Sequence, residues 1–281
     1  MVHNPYLLTL PAVVSFSGGR TSGFMLRNIL DAHGGQPDGL KVCFQNTGLE
    51  HAATYAFVKD VAERWAVDIT WLEYRVSADN QHDYEVVTHD TASRAGEPFS
   101  ALIVKKGYLP NPVARICTSN LKMRVLDRYL KTLDGFADGY TNAMGLRYDE
   151  PRRVHRMEAD NARESVYCPM FHARHTEDDV LKFWSEQPFD LNLPLHGNMA
   201  GNCVGCFLKG RGKLEILMDE MPEYFDWWVQ AEQLGAEVTS KAGAKFRSDR
   251  PSYAGMLSAV KSQGSLFPKD GEDTIPCFCT D

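Results

Sequence analysis

The sequence predicts an α/β fold: an open, parallel sheet with helices on both faces, followed by a cysteine-containing C-terminal extension. Three observations carry this. In the first third, short apolar runs alternate with amphipathic stretches, the order of a βαβαβ unit. The first apolar run ends in a glycine pair that opens directly into a helical pattern. From Asn198 onward the composition shifts to a Gly- and Cys-rich turn followed by helical patterns.

The elements follow in order. Residues 12–16 (AVVSF) read as a core strand, and 21–33 place Phe24, Met25, Ile29 and Leu30 on one helical face. Residues 40–45 (LKVCFQ) form a second strand that stops at Asn46-Thr47-Gly48. Residues 51–65 are a second amphipathic helix and 68–74 (DITWLEY) a third strand, with right-handed crossovers expected. Between 76 and 116, Gly96-Glu97-Pro98 and Leu109-Pro110-Asn111-Pro112 mark loops, and no element is assigned. Residues 118–133 read as a helix with a Thr or Ser cap, 139–146 as a fourth strand ending at Arg147, and 166–170 as a short fifth. Residues 177–186 form a helix with an acidic first turn, stopped by Pro188. Helices at 222–234 and 253–262 follow. Residues 1–200 are expected to bind a nucleotide, with 201–281 a Cys-rich turn and helical extension packed on the active site.

Bulk properties limit the function classes. A chain of 281 residues with 43% hydrophobic content builds a full core. A net charge of −7 argues against a broad basic groove, so any nucleic-acid contact is local. No run of about 18 apolar residues appears, and the N-terminal segment lacks a signal peptide's basic start and cleavage site. The expectation is a cytoplasmic protein with no membrane contact. Seven cysteines, an odd number in a reducing compartment, argue against a disulfide framework.

The loop Ser17-Gly18-Gly19-Arg20-Thr21-Ser22 sits where an anion belongs, between a strand and the first turn of a helix. Its spacing is neither Gly-x-x-x-x-Gly-Lys-Ser/Thr nor Gly-x-Gly-x-x-Gly. It resembles the pyrophosphate-binding PP-loop of the adenine nucleotide α-hydrolase superfamily, with Thr21 where many members carry Asp. Further segments resemble the phosphoadenosine phosphosulfate (PAPS) reductase-like branch: Asn46-Thr47-Gly48-Leu49-Glu50, Cys117-Thr118 with Leu121-Lys122, Gly145-Leu146-Arg147-Tyr148-Asp149-Glu150 with Arg152-Arg153, and Tyr167-Cys168-Pro169-Met170. These occur in consistent order over residues 12–210. The resemblance implies a Rossmann-like fold of the HUP type. It also implies an adenine-nucleotide site built from Ser15, Ser17, Gly18, Gly19, Arg20, Thr21, Ser22, Asn46, Thr47, Gly48, Gly145 and Arg153, with Arg147 and Lys122 as catalytic cations.

Cys203-Val204-Gly205-Cys206 is a turn suited to two thiolates on one metal, or to a redox dithiol. The resemblance implies a 4Fe–4S cluster on Cys117, Cys203 and Cys206, with Cys277 or Cys279 from the tail as a fourth ligand or an iron left open. Zinc on the same thiolates is the alternative. Cys117 is preceded by Ile116 where cluster-bearing members have a second cysteine.

Two enzymatic functions compete. One is cleavage of ATP, with Mg²⁺, between its α and β phosphates to adenylate an acceptor for sulfur transfer. The other is reduction of PAPS or adenosine phosphosulfate by a thiolate such as Cys279. The closed glycine loop and a tail lacking Gly or His beside its cysteines favour the first. A non-enzymatic nucleotide- or cluster-sensing module is the third reading. The resemblance also implies a sulfur-donating partner such as a cysteine desulfurase and leaves a nucleic-acid acceptor open. Lys209, Arg211 and Lys213 read as either a local phosphate contact or a solvated loop.

Overall fold

The computed structural model describes residues 4–160, 164–195, 198–239 and 244–263. Six strands form one sheet in the order β4-β3-β2-β1-β5-β6. Strands β1 (Ala12–Ser15), β2 (Leu40–Asn46), β3 (Ile69–Val76), β5 (Thr141–Ala143) and β6 (Ser165–Tyr167) run parallel. Strand β4 (His82–Val87) closes one edge antiparallel to β3. The chain therefore builds outward from β1 through β2 and β3, then restarts on the other side of β1 at β5. This reversal makes a switch point at the carboxyl ends of β1 and β5, where open α/β sheets hold their ligands.

Helices α1 (Arg20–His33), α2 (Ala52–Trp65) and α3 (Glu97–Lys106) accompany the first strands. A π-helical segment, Thr118–Met123, runs into α4 (Arg124–Leu130). Helices α5 (Pro151–Asp160), α6 (Pro169–His172) and α7 (Glu177–Ser185) surround β6 in sequence. The extension contains α8 (Arg211–Glu220), a 3-10 turn at Pro222–Phe225, α9 (Asp226–Thr239) and α10 (Tyr253–Gln263).

Side-chain alternation along the strands divides the core into two layers. Val14, Val42, Phe44 and Trp71 face one way and pack with Phe24 and Met25 of α1, Phe57 of α2 and Trp184 of α7. Val13, Cys43, Leu72 and Tyr74 face the other way and pack with Phe99 of α3, Leu126 of α4 and the extension. Burying a side chain of this size contributes about 2 kcal/mol, so the strands are held from both faces, as parallel strands require. Leu214, Trp228 and Met256 of the extension share the layer of Val13, and Trp227 Nε1 donates to Ser100 Oγ at 3.0 Å. Gly96 faces this contact with φ +75°, and a Cβ there would lie 2.4 Å from Trp227 Nε1. Only glycine meets both demands.

Several elements differ from the sequence expectation. The stretch 76–116 contains β4 and α3, and residues 211–220 are helical. The strand expected at 139–146 is confined to Thr141–Ala143. The strand expected at 166–170 is Ser165–Tyr167, because Pro169 begins α6, where its fixed φ suits a first helical turn and its missing N–H costs nothing. Among the described residues no helix is long and apolar enough to cross a membrane.

Candidate functional site

The glycine loop leaves β1 at Phe16 and enters α1 at Arg20. Ser22, fully buried, latches it: its hydroxyl donates to the Gly19 carbonyl at 3.0 Å and accepts from Ser17 N at 3.3 Å. The Ser17 hydroxyl lies 2.9 Å away and completes the ring. Gly18 has φ +76°, and a Cβ there would come within 2.7 Å of Thr54 Cγ2 in α2. The backbone is thus drawn tightly over the start of α1, whose first-turn N–H groups have no intrahelical acceptor. Those groups and the helix dipole favour a negative charge at the loop.

Arg147 follows β5 across the switch point. Its Nη1 donates to Thr21 Oγ1 at 3.3 Å, and its Nε to Asp149 Oδ1 at 3.0 Å. Burial opposes its charge, but Glu150, Asp149 and Glu177 outweigh burial and hold its pKa up. Gly145 allows this approach, since a Cβ there would sit 3.3 Å from Ser22 Cα. The glycine loop and the Arg147 guanidinium are thus brought together from two strands.

The turn after β2 forms the next wall. Asn46 is fully buried; its Nδ2 donates to Glu73 Oε1 at 2.6 Å and its Oδ1 accepts from Gly48 N at 3.0 Å. Glu50 gathers the turn, accepting from Thr47 Oγ1 at 2.7 Å, Leu49 N at 3.1 Å and Tyr55 Oη at 3.1 Å. The Cys-rich turn is stitched to this segment: Val204 N donates to Leu49 O at 3.0 Å, and Cys203 Sγ lies 3.3 Å from Thr47 Oγ1. Burial, then Glu50 and Cys206, push the Cys203 thiol well up, while Lys122 of the π-helix pulls against them. The buried Lys209 ammonium donates to the carbonyls of Gly201, Cys203 and Val204, each at 2.9 Å.

No protein-family model matches the chain. The uncharacterized nin region protein ORF290 of Escherichia phage lambda is 32% identical over 210 residues, covering 73% of this chain and 68% of that protein. The chain belongs to the family of that phage protein. The name of that relative states no chemistry.

In this ORF290-family chain the sequence-predicted residues fall into two groups. Ser17, Gly18, Gly19, Thr21, Ser22, Gly145 and Arg147 come together at the switch point. Asn46, Thr47 and Gly48 join Cys203, with Lys122 acting on it electrostatically. Three residues have their side chains engaged by protein partners. Arg20 forms a two-point pair with Asp190, both bonds 2.7 Å, so only its backbone serves the loop. Arg153 pairs with Glu150, and Ser15 Oγ donates to Asn142 Oδ1 at 2.8 Å. Lys209 is neither a phosphate contact nor a solvated group, and Arg211 pairs with Glu215 in α8.

Sequence reasoning missed Asn198 and Asn202, which line a small cavity with Ser17, Gly18 and Gly19. Their signal was present in the Gly- and Asn-rich turn, since both adopt positive φ. A wider groove of about 580 Å³, walled by Arg20, His51, Asn192, Glu223 and Tyr224, opens beside the loop.

Among the described residues no three His, Cys, Asp or Glu side chains converge as a metal-holding group. Cys117 and Cys206 are half-buried and Cys203 is buried beside a carboxylate, while Cys277 and Cys279 lie outside the described residues. The described donors do not by themselves fit a 4Fe–4S cluster or zinc.

Proposed function

We propose that the chain binds ATP, with its Mg²⁺, at the glycine loop and cleaves it between the α and β phosphates, adenylating an acceptor for sulfur transfer. The observation that carries this reading is the meeting of Arg147 with Thr21 across the β1–β5 switch point, over a glycine loop latched by Ser22. The loop N–H groups hold the terminal phosphates. Arg147, kept charged by three carboxylates, neutralises charge that grows on the departing pyrophosphate. Ser22 contacts no phosphate in this scheme; it fixes the loop's shape before substrate arrives, which is the source of electrostatic preorganisation. The buried polar turn of Asn46, Thr47 and Glu50 shapes the adjoining wall.

The test is release of pyrophosphate and AMP from ATP·Mg²⁺, run beside consumption of PAPS with a thiol donor. Pyrophosphate release that disappears in Arg147→Ala supports the reading. PAPS consumption without ATP cleavage replaces it with reduction of a sulfonucleotide.

A further inference from the structure

Strand β4 begins at His82, opposite Val76 at the carboxyl end of β3. In the order β4-β3-β2-β1 it stands three strand spacings from the glycine loop's strand, about 14 Å at about 4.8 Å each. The register places His82 on the same face as Tyr74 and Tyr84, the face packed by α3 and α4. Asp83 and Glu85 alternate to the opposite face, where Arg75 takes Glu85 at 2.5 Å and Glu73 at 2.6 Å. Within the face of His82, Nδ1 of its ring lies 2.6 Å from the hydroxyl of the buried Tyr74. A neutral His82 that accepts from Tyr74 at Nδ1 carries its own proton on Nε2, as a donor.

Four cations from two helices bear on this ring. Lys105 and Lys106 end α3, and Arg124 and Arg128 stand one turn apart on α4. Burial, then Lys106, Arg128, Lys105 and Arg124, hold the His82 pKa below 6.5. Lys105 Nζ donates to the Asn80 carbonyl and Arg124 Nη1 to Asn120 Oδ1 at 3.2 Å, bonds that position the two groups without neutralising them. Arg128 Nη1 is buried with no hydrogen-bond partner, and its guanidinium also acts on Tyr74. Asp79, in the turn before β4, is bonded by Ser77 and feels Lys105. Among the described residues no carboxylate forms an ion pair with any of the four cations; Asp127, beside Arg128 in sequence, pairs with Lys131 instead.

In a chain of net charge −7, four such cations around one histidine repel one another, and a buried guanidinium N–H is left without an acceptor. A compact anion of high charge relieves both. A carboxylate brings a single charge to this many donors, whereas a tetrahedral oxyanion offers acceptors in several directions, suited to a guanidinium fork and ammonium groups arriving from different elements.

We propose that His82, Arg124, Arg128 and the two lysines ending α3 form a binding site for a phosphate- or sulfate-type oxyanion, separate from the glycine loop. The site touches the π-helical segment through Asn120, in the same short stretch as Lys122, the cation that acts on Cys203.

The experiment is NMR of the His82 imidazole in the full chain, assigned with His82→Gln, during titration with inorganic phosphate at neutral pH and constant ionic strength. The resonance is expected to move and saturate, and to do so equally in Arg147→Ala, which disturbs the glycine loop alone. Arg128→Gln with Lys106→Gln is expected to weaken this binding by at least about tenfold. If that pair of changes prevents folding, Lys106→Gln alone carries the test, with binding weakened about threefold or more. A resonance that stays still, drifts without saturating, or responds equally in these variants overturns the proposal. A parallel titration with O-phosphoserine identifies the source: tighter binding than inorganic phosphate supports a site for a phosphate carried on an organic body, and weaker binding supports one for the free ion. A wild type that binds phosphate at His82 but cleaves no ATP keeps this site and loses only the ATP reading.

Discussion

Arg147 holds its charge in a half-buried position because three carboxylates surround it, and that same arrangement fixes its direction toward Thr21. Removing the guanidinium should leave the fold standing, since Asp149 and Glu177 are exposed without it and Glu150 keeps Arg153. Arg147→Ala is expected to reduce ATP turnover by about 100-fold while thermal unfolding stays close to wild type. A large fall in melting temperature would show the residue to be structural instead. Lys209 is the reverse case. Its buried ammonium holds three carbonyls of the Cys-rich turn, and Lys209→Met takes that donor from all three, leaving only Cys203 O with a second one, Cys206 N. A loss of about 3 kcal/mol in urea unfolding is expected, and a change within error of zero would contradict the assignment. Sequence reasoning placed Arg147 just after a strand, where it lies, and misread Lys209. A loop arginine after a strand advertises itself by position, whereas a lysine folded back onto the carbonyls of its own turn looks in sequence like any basic loop residue.

At the scale of elements, strong apolar periodicity was enough for β1, β2, β3, α1, α2 and α7. It failed where packing, not pattern, decides. Strand β4 (HDYEVV) buries only Val87 and offers no long apolar run, yet it pairs with β3 from Trp71 to Val76. Helix α3 starts at the Gly96-Glu97-Pro98 sequence that reads as a loop, because a proline in the first turn begins helices as readily as it ends strands. The 118–133 helix was legible but its π-helical first half was not, since a widened turn is set by what packs against it. The Cys-rich turn depends on an equally tight fit. A Cβ on Gly205 would lie 2.3 Å from Trp228 Nε1, in an indole that is itself buried. Gly205→Ala is therefore expected to cost about 1–3 kcal/mol, read as a lowered melting temperature. An unchanged melting temperature would mean that α9 does not clamp the turn as described.

Across the whole molecule, one sheet with a switch point between β1 and β5 gathers the glycine loop and Arg147, while the extension fills one of its two faces. The same compactness makes the fold sensitive to acid. Burial lowers the pKa of His51, His82 and His175 from 6.5. The unfolded chain then binds more protons than the folded one once pH drops toward 6.5 and below, so stability present at higher pH is lost as these groups charge. Unfolding temperature is expected to be lower at pH 5.5 than at pH 7.5. An equal or higher value at pH 5.5 would show the buried histidines to be uncoupled from folding. The glycine loop was readable from sequence because its spacing is local; the pairing of β1 with β5 that makes the switch point, and the attachment of the Cys-rich turn to Thr47 and Glu50, join residues far apart in the chain and were not.

The measurement that tests the central claim most directly is a calorimetric titration of the full chain with ATP·Mg²⁺, repeated with Arg147→Ala. The account predicts saturable binding by the wild type and affinity at least about tenfold weaker in the variant. No binding by the wild type, or equal binding by both proteins, would contradict it.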